Sequence, residues 1–337
     1  MAQQQHPIGT GFTAASTADD VLKGIDLSGK QVIVTGGHVG IGFETTRALS
    51  KAGAAVTVLT RNPERAAESL VGIDRVEVDR LDLLDPASIE AFAARFRDSG
   101  RPLHILVNNA GIMGGRLSRD ARGYESQFAT NHLGHFHLTL GLLPALRAAG
   151  GARVVNVSSG AQRHGPIRWD DPNFTTGGYD PMAGYAQSKA ANVLFAVELD
   201  RRWSAEGIRG YAVHPGVIAG TSLGPLSKED DAVAFTDEQL REMGLIDAAG
   251  RPVIDPDRGF KTAPQGASTS VFAATSPLLA DIGGVYLCDN EISKLDTATP
   301  IAFSDADGVV LADVVPHSVD PEGAKRLWEL SERLLSD

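Results

Sequence analysis

Lys30-Gln-Val-Ile-Val-Thr-Gly-Gly-His-Val-Gly-Ile-Gly42 is the stretch that decides the fold. Gln31–Thr35 is a short apolar run of strand type, and Gly42–Lys51 behind it reads as a helix. Between them, glycines at 36, 40 and 42 let the backbone turn tightly and approach a pyrophosphate at the helix N-terminus. Free N–H groups and the helix dipole favour negative charge there. Turns collect glycine anyway, so the trio alone says little; its place between strand and helix carries the reading of a dinucleotide site. His38 and Ile41 share the turn and are candidate cofactor contacts, with an ordinary surface histidine as the plain alternative for His38.

Outward from this turn, short apolar runs alternate with longer amphipathic stretches, the signature of β-α units and a parallel sheet. Strands are expected at Gln31–Thr35, Ala55–Thr60, Arg75–Val78, His104–Asn108, Arg153–Ser158, Gly210–His214 and Val285–Leu287. Helices are expected at Gly42–Lys51, Pro63–Leu70, Pro86–Asp98, Tyr124–Ala148, Tyr185–Ser204 and Pro264–Thr275. Pro63 and Pro86 follow Asn62 and Asp85, a cap residue and then proline at the first helical position. Pro144 should bend or loosen the end of the fourth helix.

The expected fold class is therefore α/β: a single Rossmann-like doubly wound domain, its parallel seven-stranded sheet flanked by helices, with a lid insertion and a C-terminal helix. Residues 1–28 read as an extension lying over the surface, and 29–290 as the dinucleotide-binding and catalytic domain. Residues 222–263, charged and punctuated by Gly and Pro, read as a substrate lid. Residues 291–337 form a C-terminal extension in which Ala324, Leu327, Trp328, Ser331, Leu334 and Leu335 fall on one face of an amphipathic helix.

The 337 residues are 42% apolar and 22% charged, ordinary for a protein with a real core. A net charge of −11 argues against a nucleic-acid partner, which needs a clustered basic face. The lone cysteine, Cys288, sits in an apolar stretch and fits a reducing compartment. The start carries no secretory pattern and no apolar run is long enough for a membrane span, so the expected location is cytoplasmic.

Thr60-Arg61-Asn62 ends the second strand, where NAD sites usually place an acidic residue for the ribose 2′-hydroxyl. Arg61 could instead clamp a 2′-phosphate with its planar fork, so NADP(H) is preferred and NAD(H) is the alternative. Asp82 and Leu83, after the third strand, are placed to meet an adenine. Asn108-Asn109-Ala110-Gly111 ends the fourth strand with small polar residues, where bulk would block the cofactor.

Tyr185-Ala-Gln-Ser-Lys189 puts a phenol and an ammonium one helical turn apart. Free tyrosine titrates near 10. A lysine charge about 4 Å away, at an effective dielectric near 20, is worth about 4 kcal/mol, or roughly three pKa units. The phenol is thus expected to move toward neutrality.

Taken together, the chain resembles the short-chain dehydrogenase/reductase family. The matching text is Thr35-Gly-x-x-x-Gly-x-Gly42, Asn108-Asn-Ala-Gly111, Asn131, Val155-Asn-Val-Ser-Ser159, Tyr185-x-x-x-Lys189 and His214-Pro-Gly216, in family order over about residues 29–290. Thr130-Asn-His-Leu-Gly-His-Phe136 and Leu327-Trp-Glu-Leu-Ser331 look closest to the retinol dehydrogenase and protochlorophyllide reductase branch.

The resemblance implies a tetrad. Tyr185 is the general acid/base; Lys189 lowers its pKa and binds the nicotinamide ribose. Ser159, rather than Ser158, bonds the substrate oxygen, and Asn131 holds a water that links Lys189 to solvent. It also implies cofactor contacts at Pro215, Gly216 and Val217. Two departures stand out. Tyr185 lies 26 residues after Ser159, about twice the family's gap, and Ile167–Phe174 in the extra text is expected to form a lobe beside the substrate. Thr221 falls one position later than the nicotinamide-contacting threonine of relatives.

His132, His135 and His137 lack a second ligand group at recognised spacing, so no metal is expected. Asp170-Asp171 and Asp230-Asp231 read as solvated loop charge. No Gly-x-Ser-x-Gly elbow is present, against a hydrolase. The leading function is interconversion of a carbonyl and an alcohol by hydride transfer; the alternatives are reduction of an activated C=C bond and a dinucleotide sensor without catalysis. The expected partner is a small substrate of lipophilic type, and both a monomer and a homo-oligomer fit.

Overall fold

In β1 (Gln31–Thr35), Val32 and Val34 face one side of the sheet and Ile33 the other, and all three are buried. A strand covered on both faces needs such a continuous apolar run. The computed structural model describes residues 5–218, 223, 236–299, 302 and 304–336. The other strands are β2 (Ala55–Thr60), β3 (Val76–Arg80), β4 (Ile105–Asn108), β5 (Ala152–Val157), β6 (Ile208–His214), β7 (Val285–Cys288) and β8 (Glu291–Ile292). They form one sheet in the order β3-β2-β1-β4-β5-β6-β7-β8. The first seven run parallel, and β8 pairs antiparallel with β7. The expected seven-stranded sheet thus carries an eighth strand, whose two residues are too short for any periodicity to announce.

The helices are α1 (Ala18–Val21), α2 (Gly40–Lys51), α3 (Pro63–Ser69), α4 (Pro86–Asp98), α5 (Ser126–Phe128), α6 (Gly134–Ala148), α7 (Pro181–Trp203), α8 (Asp237–Glu242), α9 (Ala263–Thr275), α10 (Pro316–Val319) and α11 (Pro321–Ser336). One core layer joins α1, α2 and α9 to Val32, Val34, Val56 and Val58; the opposite layer joins α4, α6 and α7 to Ile33, Leu59 and Leu106. Asn62 and Asp85 cap α3 and α4 through Arg65 N–H and Ala87 N–H, as their positions before proline predicted.

Two elements differ from expectation. The stretch expected as one helix, Tyr124–Ala148, is broken into α5, a π-turn at Ala129–Leu133, and α6, which runs through Pro144. The extension before Lys30 is stitched in rather than laid over. Gln5 is buried and pairs like a strand residue, its amide bonding Tyr286 N–H, Tyr286 C=O and Ser293 C=O. The Glu291 carboxylate accepts the N–H groups of Ile8, Gly9 and Thr10. Among the described residues no helix is long and apolar enough to cross a membrane.

The strand order reverses direction between β1 and β4, and a crevice at such a switch point, beyond the C-terminal strand ends, is where doubly wound sheets bind ligands.

Candidate active site

The glycine turn at this switch point is built for close approach. Gly36 and Gly40 have φ of +65° and +55°, a region side chains rarely adopt. A Cβ on Gly42 would lie 2.4 Å from the Gly36 carbonyl oxygen and 2.5 Å from Asn109 Nδ2. Gly37, absent from the expected set, is equally constrained: its Cβ would meet Thr46 Oγ1 at 2.5 Å. Val39 precedes α2 and gives it no side-chain cap, which leaves the first N–H groups of α2 without that acceptor. A turn with glycine at 36, 37, 40 and 42, at a helix start with no side-chain cap, makes a cradle that fits a dinucleotide pyrophosphate.

Around the cradle, Asn109 Nδ2 donates to Thr35 C=O at 2.9 Å, and Asn109 N–H and Ala110 N–H donate to Thr35 Oγ1. These residues lock the end of β4 to the turn. Leu83 is buried, and Asp82 is half-buried with Oδ1 accepting Leu84 N–H. Arg61 is exposed beyond β2 and has no carboxylate partner among the described residues. Burial, and then the Arg65 charge, push His38 below its ordinary pKa; its Nδ1 is buried with no hydrogen-bond partner among the described residues. Ile41 is half-buried in the first turn of α2.

Across the crevice, α7 begins at Pro181, capped by Asp180, and carries Tyr185 and Lys189 on one face. Ser159, two residues past β5, lies near enough to Tyr185 to lower its pKa, and its Oγ accepts Ala161 N–H. Ser158 instead donates to the Lys189 carbonyl at 2.8 Å, so of the two serines only Ser159 meets the phenol. Lys189 Nζ donates to Val157 C=O at 2.9 Å and lies 5.5 Å from the centre of the Tyr185 ring.

Burial pushes Tyr185 up to about 12 against the lowering effect of Ser159, and brings Lys189 down to about 8. The expected shift of the phenol toward neutrality is reversed here. The ammonium is held by a carbonyl on β5, and loss of water dominates both groups.

Asn131 sits in the π-turn. Its Oδ1 accepts Ile112 N–H at 2.9 Å, and its Nδ2 donates to Ile112 C=O and to Ser188 Oγ. Its side chain thus fixes the backbone after Gly111 and the residue preceding Lys189. A Cβ on Gly111 would lie 3.2 Å from Asn131 Oδ1 and 3.6 Å from Lys189 Nζ. Pro215, Gly216 and Val217 follow β6; Gly216 has φ of +88°, and Val217 pairs with Phe260 of the segment leading into α9. Thr221 lies outside the described residues.

The three histidines face three ways. His132 Nε2 meets Ser331 Oγ, His135 bridges Thr35 Oγ1 and Asn131 C=O, and His137 lies 3.7 Å from Glu90. Among the described residues no group of three or more metal-ligating side chains occurs.

Sequence reading missed two parts of the surround. Lys261, buried behind Gly216, is paired with Asp289. Glu125 and Tyr179, buried and half-buried, converge with Gln127 beside Gly184, the residue before Tyr185. Both sets join residues far apart in the chain, so no local spacing signals them. His135 was within reach, since it lies in the Thr130–Phe136 text already singled out.

The glycine turn and the Ser159, Tyr185 and Lys189 side chains thus gather near the switch point of a doubly wound sheet. The sequence model of the family described as short chain dehydrogenase matches residues 30–231. The chain belongs to that family. It is 46% identical to a "Probable oxidoreductase" of Streptomyces antibioticus over 90% of this chain and 97% of the relative. It is 36% identical to human retinol dehydrogenase 12 over 92% and 88%, which places it in the retinol dehydrogenase-like branch. An uncharacterized protein from Mycobacterium Paratuberculosis superposes with a TM-score of 0.69 at 30% identity, over 96% of this chain and 98% of that one. The NADP active-site complex of RhlG from Pseudomonas aeruginosa does so at 0.58 and 25%, over 78% and 95%.

Proposed function

We propose that this chain uses NADP(H) to interconvert a carbonyl and a primary or secondary alcohol, with Tyr185 as general acid/base. The observation that carries the reading is the nearness of half-buried Ser159 to the buried Tyr185, one helical turn from a Lys189 ammonium that backs onto Gly111. The cofactor, bound over the turn Gly36, His38, Gly40, Ile41 and Gly42, supplies or accepts the hydride. Arg61 holds its 2′-phosphate, with Asp82, Leu83, Asn109, Ala110, Gly111 and Pro215 to Val217 lining its path.

With its pKa near 12, the Tyr185 phenol keeps its proton at neutral pH and is the acid form that carbonyl reduction needs. It gives that proton to the carbonyl oxygen as charge develops, and Ser159 donates a hydrogen bond to the same oxygen. Lys189 holds positive charge under the site. Asn131, engaged with Ile112 and Ser188, keeps the floor in place.

The substrate is small and lipophilic, a reading supported by the retinol dehydrogenase relative; of the expected lid, residues 222 and 224–235 lie outside the described residues. The buried lone thiol of Cys288 fits a cytoplasmic location.

Tyr185→Phe tests the reading. Turnover of NADPH with a panel of aldehydes and ketones should fall by about two to four orders of magnitude while NADPH affinity is kept. Unchanged turnover would remove Tyr185 from the chemistry.

A further inference from the structure

We infer that Ser331, on the C-terminal helix, is a positioning residue for the active site, acting through His132 on the π-turn that carries Asn131; the inference rests on the reading of Asn131, Lys189 and Tyr185 above.

A π-turn is a strained register that reverts to α unless its surroundings hold it. Here two histidines that follow Asn131 hold it. His135 Nδ1 donates to the Asn131 carbonyl at 3.0 Å, and its Nε2 takes the Thr35 hydroxyl proton at 2.9 Å, tying the turn to the glycine cradle. On the outer side, His132 is fully buried among Phe128, Phe136 and Phe195, with ring centres 5.2, 5.9 and 5.8 Å away. Among the described residues its one polar partner is Ser331 Oγ at 2.8 Å, and its Nδ1 has none. The Ser331 hydroxyl already donates to Leu327 C=O, so His132 Nε2–H is the donor to Ser331.

The helix that brings Ser331 there is docked independently of this bond. Trp328 packs edge-on to Phe136 at 4.9 Å and to Trp203 at 5.2 Å, under the Arg202 guanidinium at 4.4 Å. Tyr124 OH donates to Leu334 C=O at 2.8 Å. Ser331 therefore has a fixed position from which to hold His132. Without that acceptor, the imidazole N–H is left unpaired in an apolar cage, and the cost is relieved by turning the ring or the backbone. A change of register there rotates Asn131 away from Ile112 and Ser188, since one residue of α-helix is about 100° of rotation.

Two variants and a control test this. Ser331→Ala removes the acceptor, and His132→Phe replaces the imidazole with an apolar ring, removing the bond should Ser331→Ala fail to fold. Tyr124→Phe weakens docking of the same helix at a different point. The readouts are amide hydrogen exchange at Ile112, kcat with NADPH, NADPH Kd and Tm. The first two variants should speed Ile112 exchange and lower kcat about three- to tenfold with Kd kept. Tyr124→Phe should lower Tm and leave Ile112 exchange and kcat unchanged.

Slow Ile112 exchange and full kcat in both His132→Phe and Ser331→Ala would overturn the inference. So would losses in all three variants that simply follow Tm. Absence of turnover in the unmutated protein would instead sink the oxidoreductase reading, and Ile112 exchange would still report whether Ser331 holds the turn.

Discussion

Arg61 and Lys189 show what single residues decide. Arg61 stands exposed past the second strand with no carboxylate among the described residues to neutralise it, so its guanidinium is available to a phosphate. Arg61→Ala should weaken NADPH binding by about 1–3 kcal/mol and NADH by far less, measured by fluorescence titration. Equal losses for both cofactors would refute the 2′-phosphate contact. Lys189 carries the pH dependence. Its pKa of about 8 in the free protein means that the ammonium is present at neutrality and lost above that value. The kcat/KM for reduction, which reports the free enzyme, should therefore hold through neutrality and decline as pH rises past about 8. A profile flat to higher pH would show that the charge on Lys189 is not needed. Spacing pointed to Tyr185 and Lys189, and the family resemblance to Ser159 and Asn131, but neither spoke to ionisation. Spacing puts Lys189 near Tyr185, whereas the carbonyl of Val157 that holds the ammonium comes from a distant strand.

At the scale of elements, the parallel strands and the capped helices were readable because each carries its own signal: apolar runs, or Asn and Asp before Pro. The breaks were not. Tyr124–Ala148 has helical residues throughout, and the π-turn inside it arises from what Asn131, His132 and His135 meet on other elements. The N-terminal extension was misjudged for the same reason, since Glu291, which anchors it, lies about 280 residues on. Removing those three acceptor contacts with Glu291→Ala should cost about 1–2 kcal/mol, read as a lower denaturation midpoint. An unchanged midpoint would return the extension to the surface role that its composition suggests.

For the whole molecule, acid should be the weak side. His132, His135 and His214 are buried and held at pKa values of about 3, 4 and 4, chiefly by loss of water. Unfolded imidazole titrates near 6.5, so below that pH the unfolded chain takes up protons that the folded chain refuses. Stability is full above about pH 6.5 and falls toward pH 4, each histidine contributing on the order of 3 kcal/mol by the end of that range. Glu125 and Asp200, raised by burial, act in the opposite sense, but two carboxylates oppose three imidazoles. Urea midpoints should therefore drop between about pH 7 and 5, and a constant midpoint would contradict these burials. The two rims of the sheet have a consequence for life at high concentration. On one side β3 presents Glu77 and Asp79, paired to Arg101 and Arg95, so charge borders its open backbone. On the other, β8 is only two residues long and the Gln5–Thr10 segment lies against it. Among the described residues, a stray strand from a neighbouring molecule meets a short, charge-bordered rim on one side and a covered one on the other, which disfavours fibril growth by edge addition in the folded state.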